Sequence, residues 1–453
     1  MTALPPLALG AWGGIAERAD AAELPWPIQS MRLDNGLTVY VVETPTTEED
    51  PALRVAAVAT WMQVGSRDEV EPGRTGFAHF FEHLMFHGTP TLPGDERDEA
   101  LLRLGIVDNA WTWRDETVYH ATIPAASLGE LLKIEADRFQ HLSLTPAGVA
   151  REAGAVYGEF RRSQADPGGV LEERLSATAF GTHPYGHRTI GLEADIAAMP
   201  QAYDHALRFF AQHYRPDRAA LLVVGEVEAD EVFALAKETY GAWQPAEAPA
   251  PAPIPAEPPQ RGPRRDHVDW PTATTPRIAL GWREERAEGS TWGDDRAAAL
   301  ELAADLLLAP TGPLHQRLVV DSGLAYDVSG GRDDTVDPGL VVVTVEAREA
   351  DDLPEIEAAV KEEVAHLAAG VDAAQLDALR THLRQSFRSS LDDPATIVHV
   401  VGSALRRDPD PAALERYRTA LAEATPKQVA AAAATLVDDR LTVVTLTPPG
   451  AAE

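Results

Sequence analysis

The strongest constraint on the fold of this chain is a repetition. Between Pro245 and Arg265 the sequence turns Pro- and Ala-rich, with prolines at 245, 249, 251, 253, 255, 258, 259 and 263. Such a stretch favours extended, polyproline-like backbone and serves as a semi-rigid spacer. It separates segments of about 220 and 190 residues, each long enough for its own core. Both segments open with strand-like runs, Leu37 to Val42 and Val55 to Trp61 in the first, Arg277 to Trp282 in the second. An apolar-periodic helix follows in each (Gly76 to His87, Asp294 to Leu308), then a strand (Thr117 to Ile123, Leu340 to Glu346). Two helices come next, and a late strand closes each half (Ala220 to Val227, Arg440 to Thr447).

The likeness reaches single residues. The run from Leu144-Thr145-Pro146-Ala147 to Glu159-Phe160-Arg161-Arg162-Ser163 matches that from Val371-Asp372-Ala373-Ala374 to Ser386-Phe387-Arg388-Ser389-Ser390, 227 positions later. A duplicated domain is the economical explanation, against two domains that merely share an element order. The expected fold is α+β: two tandem homologous domains, each a largely antiparallel sheet flanked by helices. Their expected limits are 27–244 and 266–449, joined by the 245–265 linker and preceded by a disordered leader over 1–26.

Composition narrows the function. The formal net charge is −32, which repels phosphate backbones and anionic lipid heads and argues against a nucleic-acid partner. There is no cysteine, so thiol nucleophiles, disulfides and Cys-ligated metal are excluded. Any metal must be held by His, Asp and Glu. No membrane span is expected: the apolar stretch Leu4 to Ile15 is broken by Pro5, Pro6 and glycines, and no Lys or Arg precedes it. Periplasmic, cell-envelope and cytoplasmic locations are all compatible with it.

Within the first helix stands His79-Phe80-Phe81-Glu82-His83. Residues four apart share a helix face, so His79 and His83 can reach one cation while Glu82 flanks it. Thr75 is the expected cap at the start of this helix and Gly88 its end. Two imidazoles leave a catalytic zinc short of its usual three protein ligands. The helix starting at Thr145-Pro146 supplies the best candidates for a third, Glu152 and Glu159, two turns apart on one face. His87 continues the series one turn further, roughly 6 Å along the axis, too far to share a tetrahedral site, and is read as a flanking residue.

These residues resemble the inverted-motif zinc peptidases of the pitrilysin/insulinase family, which includes the mitochondrial processing peptidases. The resemblance rests on the His79 to His83 pentad, on Leu84-Met85-Phe86-His87-Gly88-Thr89 and on the position of Glu159. It extends through Leu33-Asp34-Asn35-Gly36-Leu37, Asn109-Ala110-Trp111-Thr112, Thr117-Val118-Tyr119, His183-Pro184-Tyr185-Gly186, Tyr214-Arg215-Pro216, Arg317-Leu318 and Gly323-Leu324-Ala325-Tyr326. The resemblance implies that His79, His83 and Glu159 ligate one Zn2+ per chain. Glu82 would be the general base and Glu152 a supporting carboxylate, with Asn109, Arg317 and Tyr326 binding substrate. It also implies a metalloendopeptidase acting on peptides or unfolded segments inside a clam-shell chamber, of which this chain supplies one half. A homodimer is the simplest assembly, a heterodimer with a related chain the other. The second half aligns Glu301 and Asp305 with the two histidines, and Leu379 and Ser386 with the two glutamates, so it is expected to lack the metal site. The competing readings are a non-catalytic partner subunit of the same fold and a metal-dependent hydrolase of small amides or esters.

Overall fold

The structure is a computed structural model that describes residues 24–46, 48–50, 53–272, 275–285 and 294–449. The expected leader, apart from its last three residues, lies outside the described residues. The first sheet contains β1 (Ile28–Arg32), β2 (Thr38–Glu43), β3 (Val55–Met62), β4 (Val107–Thr112), β5 (Thr117–Pro124) and β6 (Ala219–Gly225), in the order β1-β2-β6-β3-β5-β4. The second contains β7 (Arg264–Asp269), β8 (Arg277–Arg283), β9 (Ala325–Arg332), β10 (Leu340–Ala347) and β11 (Leu441–Thr447), in the order β7-β11-β8-β10-β9. With β1 set aside, the two orders correspond strand for strand. Directions correspond as well: β2 is parallel to β6 and β7 to β11, and the other neighbours are antiparallel.

Three of these strands have little strand character in sequence. β4 carries Asp108 and Asn109, β9 carries Gly330 and Gly331, and β7 begins at Arg264, within the stretch read as linker. Each is an edge strand held by pairing with one inner neighbour, so register rather than propensity makes it a strand. The linker is itself pinned, since the Glu257 carboxylate accepts the backbone N–H groups of Gly181, Thr182 and His183 at 3.0, 2.7 and 3.0 Å.

The inner strands are apolar on both faces. In the first sheet Val39, Val41, Val58, Leu221 and Val223 face one core, together with Phe77, Phe80 and Phe81 from the helix Phe77–Leu84. Tyr40, Val42, Ala57, Ala59, Trp61, Leu222 and Val224 face the other way, as the two-residue strand period requires. That second face is covered by the opposite half. Ile397, Val398, Val401 and Leu405 of the helix Pro394–Arg407 close it. In return, Leu171, Leu175 and Ala179 of the helix Pro167–Ala179 pack on Ala279, Leu340, Val444 and Leu446 of the second sheet. The two exchanged helices are equivalent in sequence, 227 positions apart, and each starts with an Asp cap and Pro in its first turn. At about 1.5–3 kcal/mol per buried aliphatic side chain, each exchange contributes on the order of the stability of a whole domain.

A polar seam runs beside these helices. Tyr185 donates to Asp115 at 2.6 Å and accepts the Asp337 N–H at 3.1 Å, while Asp115 also accepts the Val336 N–H at 2.9 Å. Asp337 pairs with Arg67 at 2.5 Å and with His183 at 3.0 Å. Arg406 pairs with Glu116. The His183-Pro184-Tyr185-Gly186 segment thus belongs to the joint between halves. In the second core, Leu302, Leu306, Leu314 and Leu318 are buried, although the run Asp295–Asp321 is long and apolar enough to cross a membrane.

The exchanged helix sits close because of one glycine. A Cβ on Gly402 would lie 2.2 Å from the Trp61 ring. Gly→Ala in a free helix stabilises by about 1 kcal/mol, whereas overpacking costs about 1–3 kcal/mol. Gly402→Ala should therefore show a net loss of about 1–2 kcal/mol in urea unfolding. A stabilised variant would mean that the joint is loosely packed.

Candidate metal centre

The helix Phe77–Leu84 turns one side to the core and the other to the site. Phe81 stacks on Phe209 and Phe210, with ring centroids 5.3 and 5.7 Å apart, which fixes the rotation of the helix about its axis. Below it, Tyr119 donates to the Phe81 carbonyl at 3.3 Å and shares a 2.8 Å hydroxyl contact with Tyr214. Thr75 is not the cap. Its hydroxyl donates to Asp195 at 2.7 Å and accepts the Leu192 N–H at 2.8 Å. The start is closed instead by Glu69, whose two carboxylate oxygens each accept at 2.7 Å, one from Gly76 N–H and the other from Ala78 N–H. Gly76 is required there, with φ at 87° and the Ile190 carbonyl 2.5 Å from where a Cβ would sit. Burial pushes the Glu69 carboxyl up, and the two N–H groups oppose it.

The second element is the helix Pro146–Ser163. The Thr145 hydroxyl accepts from Gly148 N–H at 3.1 Å and Pro146 occupies its first turn. Val149, Ala153, Val156 and Phe160 face the core, leaving Glu152 and Glu159 on the flank beside the histidines. Among the described residues, His79, His83 and Glu159 form the one group of three potential ligands that converge, their donor atoms lying within 4.8 Å of one another. His83 Nε2 is 3.4 Å and His79 Nε2 3.8 Å from a Glu159 oxygen. Three donors about 2.0–2.1 Å from a tetrahedral zinc stand roughly 3.3 Å apart, so the two imidazole–carboxylate spacings suit that ion. The donor chemistry, two imidazoles and one carboxylate, also suits zinc with a position left open.

Around this triad the structure adds three contacts. Glu152 meets His83 Nδ1 at 3.0 Å with one oxygen and His87 Nε2 at 2.9 Å with the other. The Thr112 hydroxyl, at the end of β4, donates to Glu82 at 2.6 Å. Burial keeps His79 neutral, with its pKa lowered to about 4, and leaves its Nδ1 without a hydrogen-bond partner. Hydrogen bonds to Glu152 and Glu159 raise His83 to about 9. The same contacts, with His87, lower Glu152 to about 2. Burial raises Glu82, against the Thr112 hydrogen bond.

The residues assigned to substrate are spread apart. Asn109 is exposed on β4, one of the two edge strands of the first sheet. Its side chain accepts the Ala110 N–H at 2.9 Å, and strand alternation turns it to the face opposite Thr112. Arg317 pairs with Glu362 at 2.6 Å and Glu363 at 2.9 Å. Tyr326, on the edge strand β9, is 55% exposed, with the Arg348 guanidinium 4.4 Å from its ring centroid. All the contacts described for Arg317 and Tyr326 lie within the second half. There Glu301, the counterpart of His79, lies 3.7 Å from Arg332, and burial raises Glu301 to about 7 and Asp305 to about 6. Thr112, Glu69 and the His87 contact were not read from sequence: Thr112 lies in a quoted segment without a role, and nothing local singles out the other two.

Two family models match the chain, insulinase (peptidase family M16) over residues 45–192 and the peptidase M16 inactive domain over residues 202–383. The chain belongs to the insulinase family of peptidases. Its M16 relatives include a zinc protease of Mycobacterium leprae, 34% identical over 198 residues, 43% of each chain. The match thus spans less than half the length of that relative. The β subunit of the mitochondrial processing peptidase of Blastocladiella emersonii is 26% identical over 83% of this chain and 78% of its own. The crystal structure of a protease from Helicobacter pylori superposes with a TM-score of 0.85 at 26% identity, covering 93% of this chain and 100% of that one.

Because Glu69 alone closes the helix that carries both histidines, Glu69→Gln should be costly despite its near-identical shape. An amide has one acceptor oxygen, so one buried N–H loses its partner, at about 1–3 kcal/mol. An unchanged thermal or urea midpoint would remove Glu69 from the account of the helix start.

Proposed function

We propose that the protein is a zinc-dependent metalloendopeptidase, with His79, His83 and Glu159 holding the ion and Glu82 acting as general base. The observation that carries this reading is the convergence of those three donors next to a carboxylate whose second oxygen is free to act. When bound, zinc supplies Lewis acidity, making a water more acidic and a carbonyl more electrophilic. The chain's own groups do the rest. Thr112 holds one Glu82 oxygen, leaving the other to take a proton from the attacking water and deliver it to the leaving amine nitrogen. Burial of Glu82 strengthens it as a base, since a raised pKa brings its proton affinity closer to neutral pH. Beside it, β4 offers an unpaired strand edge to which an extended peptide can add, with Asn109 contributing backbone. The family names of the relatives, zinc protease and processing peptidase, support the same reaction class.

A non-catalytic subunit would be favoured by a missing donor or base, and the first half lacks neither. Glu82→Gln tests the mechanism. The variant should bind zinc in the same stoichiometry as wild type and lose cleavage of an unstructured peptide. Normal cleavage by that variant would overturn the role of Glu82, and a wild-type chain without bound zinc would overturn the metal assignment.

Arg317 and Tyr326, whose described contacts are confined to the second half, would act on substrate held by the first half of another copy, completing a closed chamber. A homodimer is the simplest form of this assembly, and a heterodimer with a related chain the other. Mixing inactive Glu82→Gln chains with Tyr326→Phe chains should then restore activity, since one site of each mixed pair regains both groups. Mixtures no more active than their components would exclude the shared site.

A further inference from the structure

We propose that His87 is a positioning residue for the metal donors, acting through Glu152; this rests on the zinc reading above. His87 follows the helix Phe77–Leu84 on the turn Met85–His87. It is too far along the axis to join His79 and His83 around one ion. Its Nε2 instead meets the Glu152 oxygen that His83 leaves free, at 2.9 Å, while His83 Nδ1 holds the other oxygen at 3.0 Å. One carboxylate is therefore gripped at both ends by imidazoles one helical turn apart. Since an ionised carboxylate only accepts, His87 Nε2 and His83 Nδ1 are both donors. That leaves His83 Nε2, the atom that faces Glu159, as the nitrogen that would give its lone pair to the ion.

The second grip matters because a glutamate's terminal torsion is soft, so a single hydrogen bond leaves the carboxylate plane free to rock. The His87 ring lies over Gly148, its Nδ1 3.4 Å from where a Cβ there would sit. Its side chain is 18% exposed and that of Glu152 20%, so water exchanges poorly with this contact. His79 has no equivalent support, its Nδ1 being buried without a hydrogen-bond partner. Orientation of the donor set therefore runs through the His83-Glu152-His87 arm. Groups behind first ligands tune a metal site in this way.

The experiment is zinc affinity by chelator competition on the full chain. His87→Met, which keeps bulk and loses the donor, should weaken zinc about 10- to 100-fold, and His87→Gln, which keeps a donor, should stay within about threefold of wild type. Unchanged affinity in His87→Met, with wild type binding zinc, would overturn this inference alone. A wild-type chain that binds no zinc would overturn the metal reading, and this inference with it.

Discussion

A strand such as β3, apolar at Ala57 and Ala59 as well as at Ala56 and Val58, has no face to give to water. Each half brings enough helix to cover one side of its sheet, and the other side is covered by the equivalent helix of the opposite half. The exchange makes one body of two repeats. It also explains why Asp115, Tyr185, Asp337 and Arg406 each pair across the joint: once apolar packing has fixed the joint, a buried charge there must find its partner at the joint.

The candidate metal centre inherits its rigidity from the same packing. His79 and His83 stand on a helix whose opposite side is three phenylalanines locked in the first core, so their shared face cannot rotate away. Glu152 and Glu159 flank the core-facing row of Val149, Ala153, Val156 and Phe160 on a second helix, which sets their spacing. The carboxylates of Glu82, Glu152 and Glu159 are thereby held around His79, His83 and His87, an arrangement whose negative charge a metal ion or protons on the imidazoles would balance.

Much of this is legible in sequence where the signal is local. The helical spacing of His79 and His83, the Thr145-Pro146 helix start and the 227-residue repeat all follow from neighbours along the chain, and the structure contains each of them. The edge strands β4, β7 and β9 were missed because pairing with a distant neighbour creates them. Thr75 is a good capping residue by type, yet Glu69, seven residues before Gly76, does the capping, since only the folded loop brings its carboxylate under the helix. Nothing local distinguishes His87 from an ordinary helix-end histidine either, because its contact with Glu152 spans 65 positions.

The sequence by itself determined which side chains could hold a metal, which carboxylate stands beside them, and that a second copy of the domain carries no equivalent set. Those are matters of residue type and of the 3.6-residue period, which act over a few positions. Only the tertiary structure decided that Glu159 faces both imidazoles, that Glu152 is held at both oxygens, that Thr112 holds Glu82, and that each half closes the other's sheet. Such contacts join residues dozens to hundreds of positions apart, and packing of both sheet faces is what brings them within reach.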